Sequence, residues 1–185
     1  MKALSIVLVT LAVIAVVSIL FIYSGFYNMG ADAHHWPLTR HLIGTLRDRS
    51  IATHSQDIQP PALGDSKQVL KGAGQYAAMC VGCHLAPGVN DSELRPGLYP
   101  MPPNLSQTSI DPKEAFWAIK HGIKMSAMPA WGSSRDDATI WSLVAFLQKL
   151  PALNASQYKA IVATAPQDEE REMPMDHPSN DDDGK

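Results

Sequence analysis

The sequence predicts an all-α protein. Apolar residues recur at helical intervals, and strand-like alternation is scarce. Capping residues stand before several of these stretches. The 14 prolines fall mostly between them, so the connections read as loops. With 185 residues, the chain has room for one modest domain plus appendages.

The first element is apolar. Residues 3–29, "ALSIVLVTLAVIAVVSILFIYSGFYNM", carry no charge. Their core, residues 3–22, is long enough to cross a bilayer as a helix, which takes about 20 residues. A secretory apolar region is shorter, about 7–15 residues. Tyr23, Phe26 and Tyr27 follow, as aromatic residues do at a membrane interface. The stretch "ADA" at 31–33 looks like a cleavage site, but it lies well past the apolar run. Residues 1–29 are therefore expected to form an uncleaved transmembrane anchor. Lys2 precedes the span and Arg40, Arg47 and Arg49 follow it, so charge orients it poorly.

Residues 30–64 read as a connector. Within "WPLTRHLIGTLRDRSI", Pro37 suits the first turn of a short helix. Leu38, Leu42 and Leu46 share one face, with Arg40, Arg47 and Arg49 among them. Such a helix either lies on a membrane or partner, or packs on its own domain. "IQPPALGDS" then reads as an extended linker.

The globular domain is expected over residues 65–165. Asp65 or Ser66 caps a helix through "KQVLKGAGQYAAM". Gly72 and Gly74 weaken it by about 1 kcal/mol each relative to Ala, which implies close approach by another element. Residues 85–109 hold five prolines (Pro87, Pro96, Pro100, Pro102 and Pro103) and read as a loop. A loop this long makes sense if it wraps something other than protein. Asp111, Pro112 and Glu114 then start a second helix that stops near Gly122. A third is expected after Ser134, through "RDDATIWSLVAFLQKL" to Pro151, with Trp141, Val144 and Ala145 on one face. A short fourth falls over 154–164. The tail, residues 166–185, carries eight acids against two bases and is expected to be disordered. The overall net charge of −3 thus hides a slightly basic body.

Both cysteines of the chain lie in "YAAMCVGCHLAPG". Cys80 and Cys83 as a thiol redox pair would need a βαβ context, which is missing. A structural zinc site would need four ligands, and neither further cysteines nor a spaced histidine pair follow. Cys-x-x-Cys-His is the attachment pattern of c-type haem. Each thiol can add to one of the two vinyl groups, and His84 supplies one axial ligand to the iron. The expected cofactor is one covalent haem c.

Met supplies the second ligand in many c-type haem proteins. Met101, Met125 and Met128 follow the loop, and His121 would give a bis-histidine site. Met128, in "SAMPAWG", is the expected ligand, because Pro129 fixes the backbone beside it.

"GAGQYAAMCVGCH", "MPAW" and "IWSLVAFLQKL" together resemble class I c-type cytochromes, in the branch related to the haem-c subunits of bacterial haem–copper oxidases. The resemblance covers roughly residues 66–150. It implies a class I cytochrome c fold, three to four helices wrapped around one covalent haem, here with an N-terminal transmembrane helix. It implies that Gly72 and Tyr76 meet the face of Trp141 and Ala145. It implies that a prolyl carbonyl, assigned to Pro87, holds the second nitrogen of His84. Covalent haem attachment outside the cytoplasmic membrane would put the haem domain in the periplasm of a bacterium, tethered to the inner membrane.

The expected function is one-electron transfer, without enzymatic activity, small-molecule substrate or nucleic-acid partner. The implied partners belong to the respiratory chain: a quinol-oxidising complex, a terminal oxidase, or a periplasmic reductase or dehydrogenase. Lys120 and Lys124, flanking the Met loop, are candidates for steering them. Two alternatives stand beside this reading. One is a haem-c enzyme or gas sensor with an open distal site. The other is a cytochrome whose tail residues Met173, Met175 and His177 bind copper, since thioethers and imidazole suit Cu(I).

Overall fold

The structure, a computed structural model, describes residues 2–166. The acidic tail, with Met173, Met175 and His177, lies outside the described residues apart from Pro166. Among the described residues every regular element is helical. The chain divides into two compact units, Met1–His41 and Leu42–Lys185.

The first unit holds α1, Lys2–Tyr23. Its 22 residues span about 33 Å at 1.5 Å per residue, enough for a hydrocarbon core of about 30 Å. None of its residues is buried. Beyond it, aromatic rings gather. Trp36 lies 6.3 Å from Phe21 and 4.9 Å from Tyr27, and Phe26 lies 6.2 Å from Phe21. Tyr27 and His35 share a 2.8 Å hydrogen bond.

Helix α2, Pro37–Ser55, is longer than the short helix expected, though it starts at Pro37 as the sequence indicates. In the second unit its end is fixed by Ser55, 2% exposed, and by the His54 ring 5.6 Å from Trp117. Ile58 and Leu63, in the linker that follows, pack against the core.

Helix α3, Ser66–Met79, is capped by Asp65, whose carboxylate accepts from the Gln68 N–H at 2.9 Å. Four more helices complete the unit. They are α4 (Val81–His84), α5 (Pro112–His121), α6 (Asp137–Leu147) and α7 (Ala155–Thr164). Asp111 caps α5 with Pro112 in its first turn, and Gly122 ends it at φ +65°. A reciprocal box of Asn154 and Gln157 opens α7. Helix α6 is shorter at both ends than expected. Asp136, not a residue before Arg135, takes the cap, because its carboxylate accepts from the Thr139 N–H at 2.7 Å. The helix stops at Leu147, and Pro151 sits in a separate 3₁₀ turn, Leu150–Ala152.

The core is built where α3 crosses α6. A Cβ on Gly72 would fall on the Ser142 carbonyl and 2.9 Å from Phe146 Cβ. The Tyr76 ring lies 5.4 Å from Phe146, which in turn lies 6.3 Å from Tyr158 of α7. This corrects the expectation for Trp141. Ser142 and Phe146, one turn apart, face Gly72, while Trp141 turns away to stack on Phe116 of α5 at 4.2 Å and 16°. Such a stack adds roughly 0.5–1.5 kcal/mol beyond its buried area. Ala73, Ile140, Val144, Phe146 and Leu150 are fully buried between these helices.

Replacing Gly72 with Ala forces α3 off α6. Overpacking of this kind costs roughly 1–3 kcal/mol. A Cβ on Gly97 meets nothing within 4 Å, so Gly97→Ala should stay within about 0.5 kcal/mol of the parent. Guanidinium denaturation of both variants checks this. Equal midpoints would remove the crossing from the account.

Candidate functional site

The two thiols sit at the end of the best-packed helix. Cys80 ends α3, and Cys83 lies within α4, whose N–H bonds return to Cys80 O from Cys83 at 3.1 Å and His84 at 2.9 Å. This turn was not read from the sequence as a helix. It sets Cys80, Cys83 and His84 on one tight backbone turn. Both sulfurs are partly buried and no disulfide joins them. Burial, with Cys83 alongside, pushes the Cys80 thiol up to about 12. Reactive redox thiols are lowered instead, to about 3.5–7.5. Among the described residues no group of three or more His, Cys, Asp or Glu side chains could hold a metal ion by themselves. The zinc and dithiol readings both lose ground.

His84 is clamped twice. Its Nδ1–H donates to the Pro103 carbonyl at 3.0 Å. Its own carbonyl accepts from the Leu105 N–H at 3.1 Å. A carbonyl can only accept, so the proton is on Nδ1 and the Nε2 lone pair points elsewhere. Burial lowers the His84 pKa, the bond to Pro103 opposes it, and nearby Arg95 adds to the lowering. The net lowering favours the neutral ring, and the bond to Pro103 selects its Nδ1–H tautomer, which is the form a metal ligand needs. The carbonyl belongs to Pro103 and not to Pro87. Chain direction explains the change: Leu85 and Ala86 are buried in the core, and the loop returns over His84 only at 103–105.

Tyr76 holds the start of that loop. It is 1% exposed, and its hydroxyl donates to the Leu85 carbonyl at 2.6 Å. Leu85 needs the help, because its φ of +61° is a conformation that non-glycine residues rarely adopt. Burial above all keeps the Tyr76 phenol above its ordinary pKa, so it remains a donor. Arg95, in a 3₁₀ turn at Arg95–Gly97, donates from one guanidinium nitrogen to the Pro102 carbonyl at 3.3 Å. Its Nε is buried with no hydrogen-bond partner among the described residues. A buried donor of this kind is costly unless an acceptor reaches it.

The methionine loop is tied back on itself by close contacts and hydrogen bonds. Gly122 lets the chain double back, since a Cβ there would meet Met128 O at 2.8 Å and Ala130 N at 2.7 Å. Ile123 N–H then donates to Met128 O at 3.1 Å, and the Ser126 hydroxyl accepts from Met128 N–H at 3.2 Å. Met128 packs against the core, as does Cys80. Met125, at the tip with φ +56°, is 86% exposed, and Met101 is 55% exposed. His121 is exposed with its ring 5.1 Å from Trp117. Of the candidates, Met128 alone is drawn into the core. Lys120, a proposed steering residue, is bound to Asp137 at 2.7 Å, while Lys124 is exposed.

The donor set fits a c-type haem. It has two thiols on one turn, an imidazole with its Nε2 available, a thioether on a fixed loop, and a buried cationic donor awaiting an anion. Residues 67–147 match the family model described as cytochrome c oxidase, cbb3-type, subunit III. These residues form a cytochrome c domain. It covers a little under half of the chain, and a domain of this kind implies electron transfer. No curated protein and no solved structure matches the chain. Within the cytochrome c domain, Pro103, Leu105, Tyr76 and Arg95 were not assigned their site roles from the sequence. Only the proline-rich loop hinted at the first two, and it did not say which carbonyl returns.

Removing the Tyr76 hydroxyl leaves the buried Leu85 carbonyl unpaired. Tyr76→Phe should therefore cost roughly 1–3 kcal/mol. The loss should show in both denaturant midpoint and haem-band unfolding. An unchanged midpoint would mean that water or another donor replaces the hydroxyl.

Proposed function

We propose that this chain is a membrane-tethered, one-electron carrier with haem c bound through Cys80 and Cys83. His84 and Met128 would be the two axial ligands. Bound haem supplies the one-electron iron couple, and the protein supplies everything that keeps it closed. The observation that carries the reading is the His84 clamp. A histidine whose Nδ1–H is committed to a backbone carbonyl at 3.0 Å, and whose pKa burial lowers, is prepared as a ligand through Nε2. The hydrogen bonds that tie the Met128 loop back on itself support a second ligand that does not leave easily. Little then has to rearrange on electron transfer. Arg95 Nε is the natural partner for a haem propionate, since it is buried and otherwise unpaired among the described residues.

Helix α1 is long and apolar enough to cross a membrane, and c-type cytochromes are periplasmic. Retained as an anchor, it would hold the domain on the periplasmic face of the bacterial inner membrane. The family resemblance favours respiratory donors and acceptors: a quinol-oxidising complex, a terminal oxidase or a periplasmic reductase. The bond of Lys120 to Asp137 leaves Lys124 as the better candidate for steering them.

Carbon monoxide added to the reduced, purified protein tests the closed site. The absorption spectrum should not change. Met128→Ala should bind it fully and show a lower reduction potential, because a thioether ligand raises the potential. Met125→Ala should behave as the parent. Rapid, full binding by the unsubstituted protein would overturn the carrier reading in favour of catalysis or gas sensing.

A further inference from the structure

Helix α2 has two faces, and only one is used. Gly44, Arg47, Ile51 and Ser55, spaced three or four residues apart, are partly covered or buried. Opposite them, Leu38, Leu42 and Leu46 are 69%, 58% and 71% exposed, with Ile43 at 51% beside them. Packing on the protein's own domain therefore does not explain the leucine row. Helical spacing carries that row on to Arg49, while Arg40 falls on the opposite side, in line with Gly44 and Arg47. Three arginines face one acid, Asp48, which is taken up by Arg47 at 2.8 Å. An apolar row with unbalanced arginines is the pattern of a helix lying in a headgroup layer.

The chain next to α2 favours lipid over a protein partner. Trp36, the residue before α2, sits against Phe21 in the last turn of α1 and against Tyr27. Phe21, Phe26, Tyr27 and Trp36 thus form one aromatic cluster at the end of the apolar helix. Such residues settle at the membrane–water boundary. The cluster brings the start of α2 back to the level where α1 ends.

We propose that α2 is an interfacial helix whose row Leu38, Leu42 and Leu46 enters the surface of an anionic bilayer. The inference rests on α1 being a retained anchor. Arg49 pairs with acidic lipid headgroups, and its long stem allows the charge to stay at the surface while the leucines go deeper. The connector then acts as a second attachment. The electron carrier is held at the membrane surface, and the partners it meets are membrane complexes.

Nitroxide labels placed singly through Val13→Cys, Leu42→Cys, Leu46→Cys and Asp48→Cys test this in the full-length holoprotein. The vesicles are phosphatidylcholine, with or without phosphatidylglycerol. The unsubstituted chain is the blank for labelling at Cys80 and Cys83. Collision with oxygen reports lipid, and collision with a nickel chelate reports water. Labels at 42 and 46 should favour oxygen several-fold more than the label at 48. The contrast should shrink without phosphatidylglycerol and in Arg49→Gln. If the label at 13 lies in lipid while 42 and 46 meet nickel as freely as 48, the inference falls and the anchor stands. If labels at 42 and 46 are shielded from both agents, the row is seated on protein, a second copy or a partner, and the lipid assignment is overturned. If intact mass shows that the segment bearing residue 13 is missing, the anchor reading fails and takes the inference with it.

Discussion

The contact between α3 and α6 at Gly72 governs the rest of the domain. The Ser142 carbonyl occupies the space of a Cβ, so the two backbones touch only because residue 72 lacks one. That approach sets Tyr76, one turn on, beneath Phe146. From there its hydroxyl reaches the Leu85 carbonyl and holds Leu85 in a backbone conformation it would not choose. Leu85 follows His84 directly. The helix crossing is thus connected to the imidazole by one side chain and one hydrogen bond. The proposed carrier, which would have to keep its ligand geometry through many redox cycles, would benefit from having that geometry fixed by packed backbone.

The imidazole itself is set by three opposing influences. Burial disfavours the imidazolium most, Arg95 adds to this, and the Pro103 carbonyl favours the protonated ring. The carbonyl loses on charge but wins on placement, since it decides which nitrogen keeps the proton. The Leu105 N–H bond on the same residue's carbonyl closes the clamp from the other end. On the methionine side, Gly122, the Ile123 to Met128 bond and the Ser126 hydroxyl do the equivalent work. Both candidate ligands are therefore held largely by main-chain groups, which have few alternative positions.

Local chemistry was legible in the sequence, and long-range return was not. Asp65, Asp111 with Pro112, and Asn154 mark helix starts because a cap acts within three residues. The Cys80, Cys83 and His84 spacing is equally local. Asp136 was passed over because neighbouring Ser134 and Arg135 offered an earlier start, and only the geometry of Thr139 N–H decides between them. Pro103 lies 19 residues from His84 among several prolines, and no linear pattern says which carbonyl comes back. The pairing of Lys120 with Asp137 joins two helices, so a charge that looked available in the sequence is already partnered. Gly72 was read as a close approach, but which residues of α6 it meets depends on the crossing itself.

That lost charge bears on how the domain finds partners. The proposed closed haem site would offer no pocket for recognition, so encounter would depend on surface charge and on where the domain is held. Residues 65–165 carry nine bases against seven acids, and one of those bases is held by Asp137. A field this weak reaches little beyond a Debye length of about 8 Å at physiological salt, so long-range steering contributes modestly. Confinement can replace it. An apolar helix followed by an aromatic cluster and an exposed leucine row would restrict the search from a volume to a surface, raising the encounter rate with membrane complexes without demanding a strongly charged domain. The sparse charge of the haem domain and the apolar investment of the first 55 residues are then two sides of one solution.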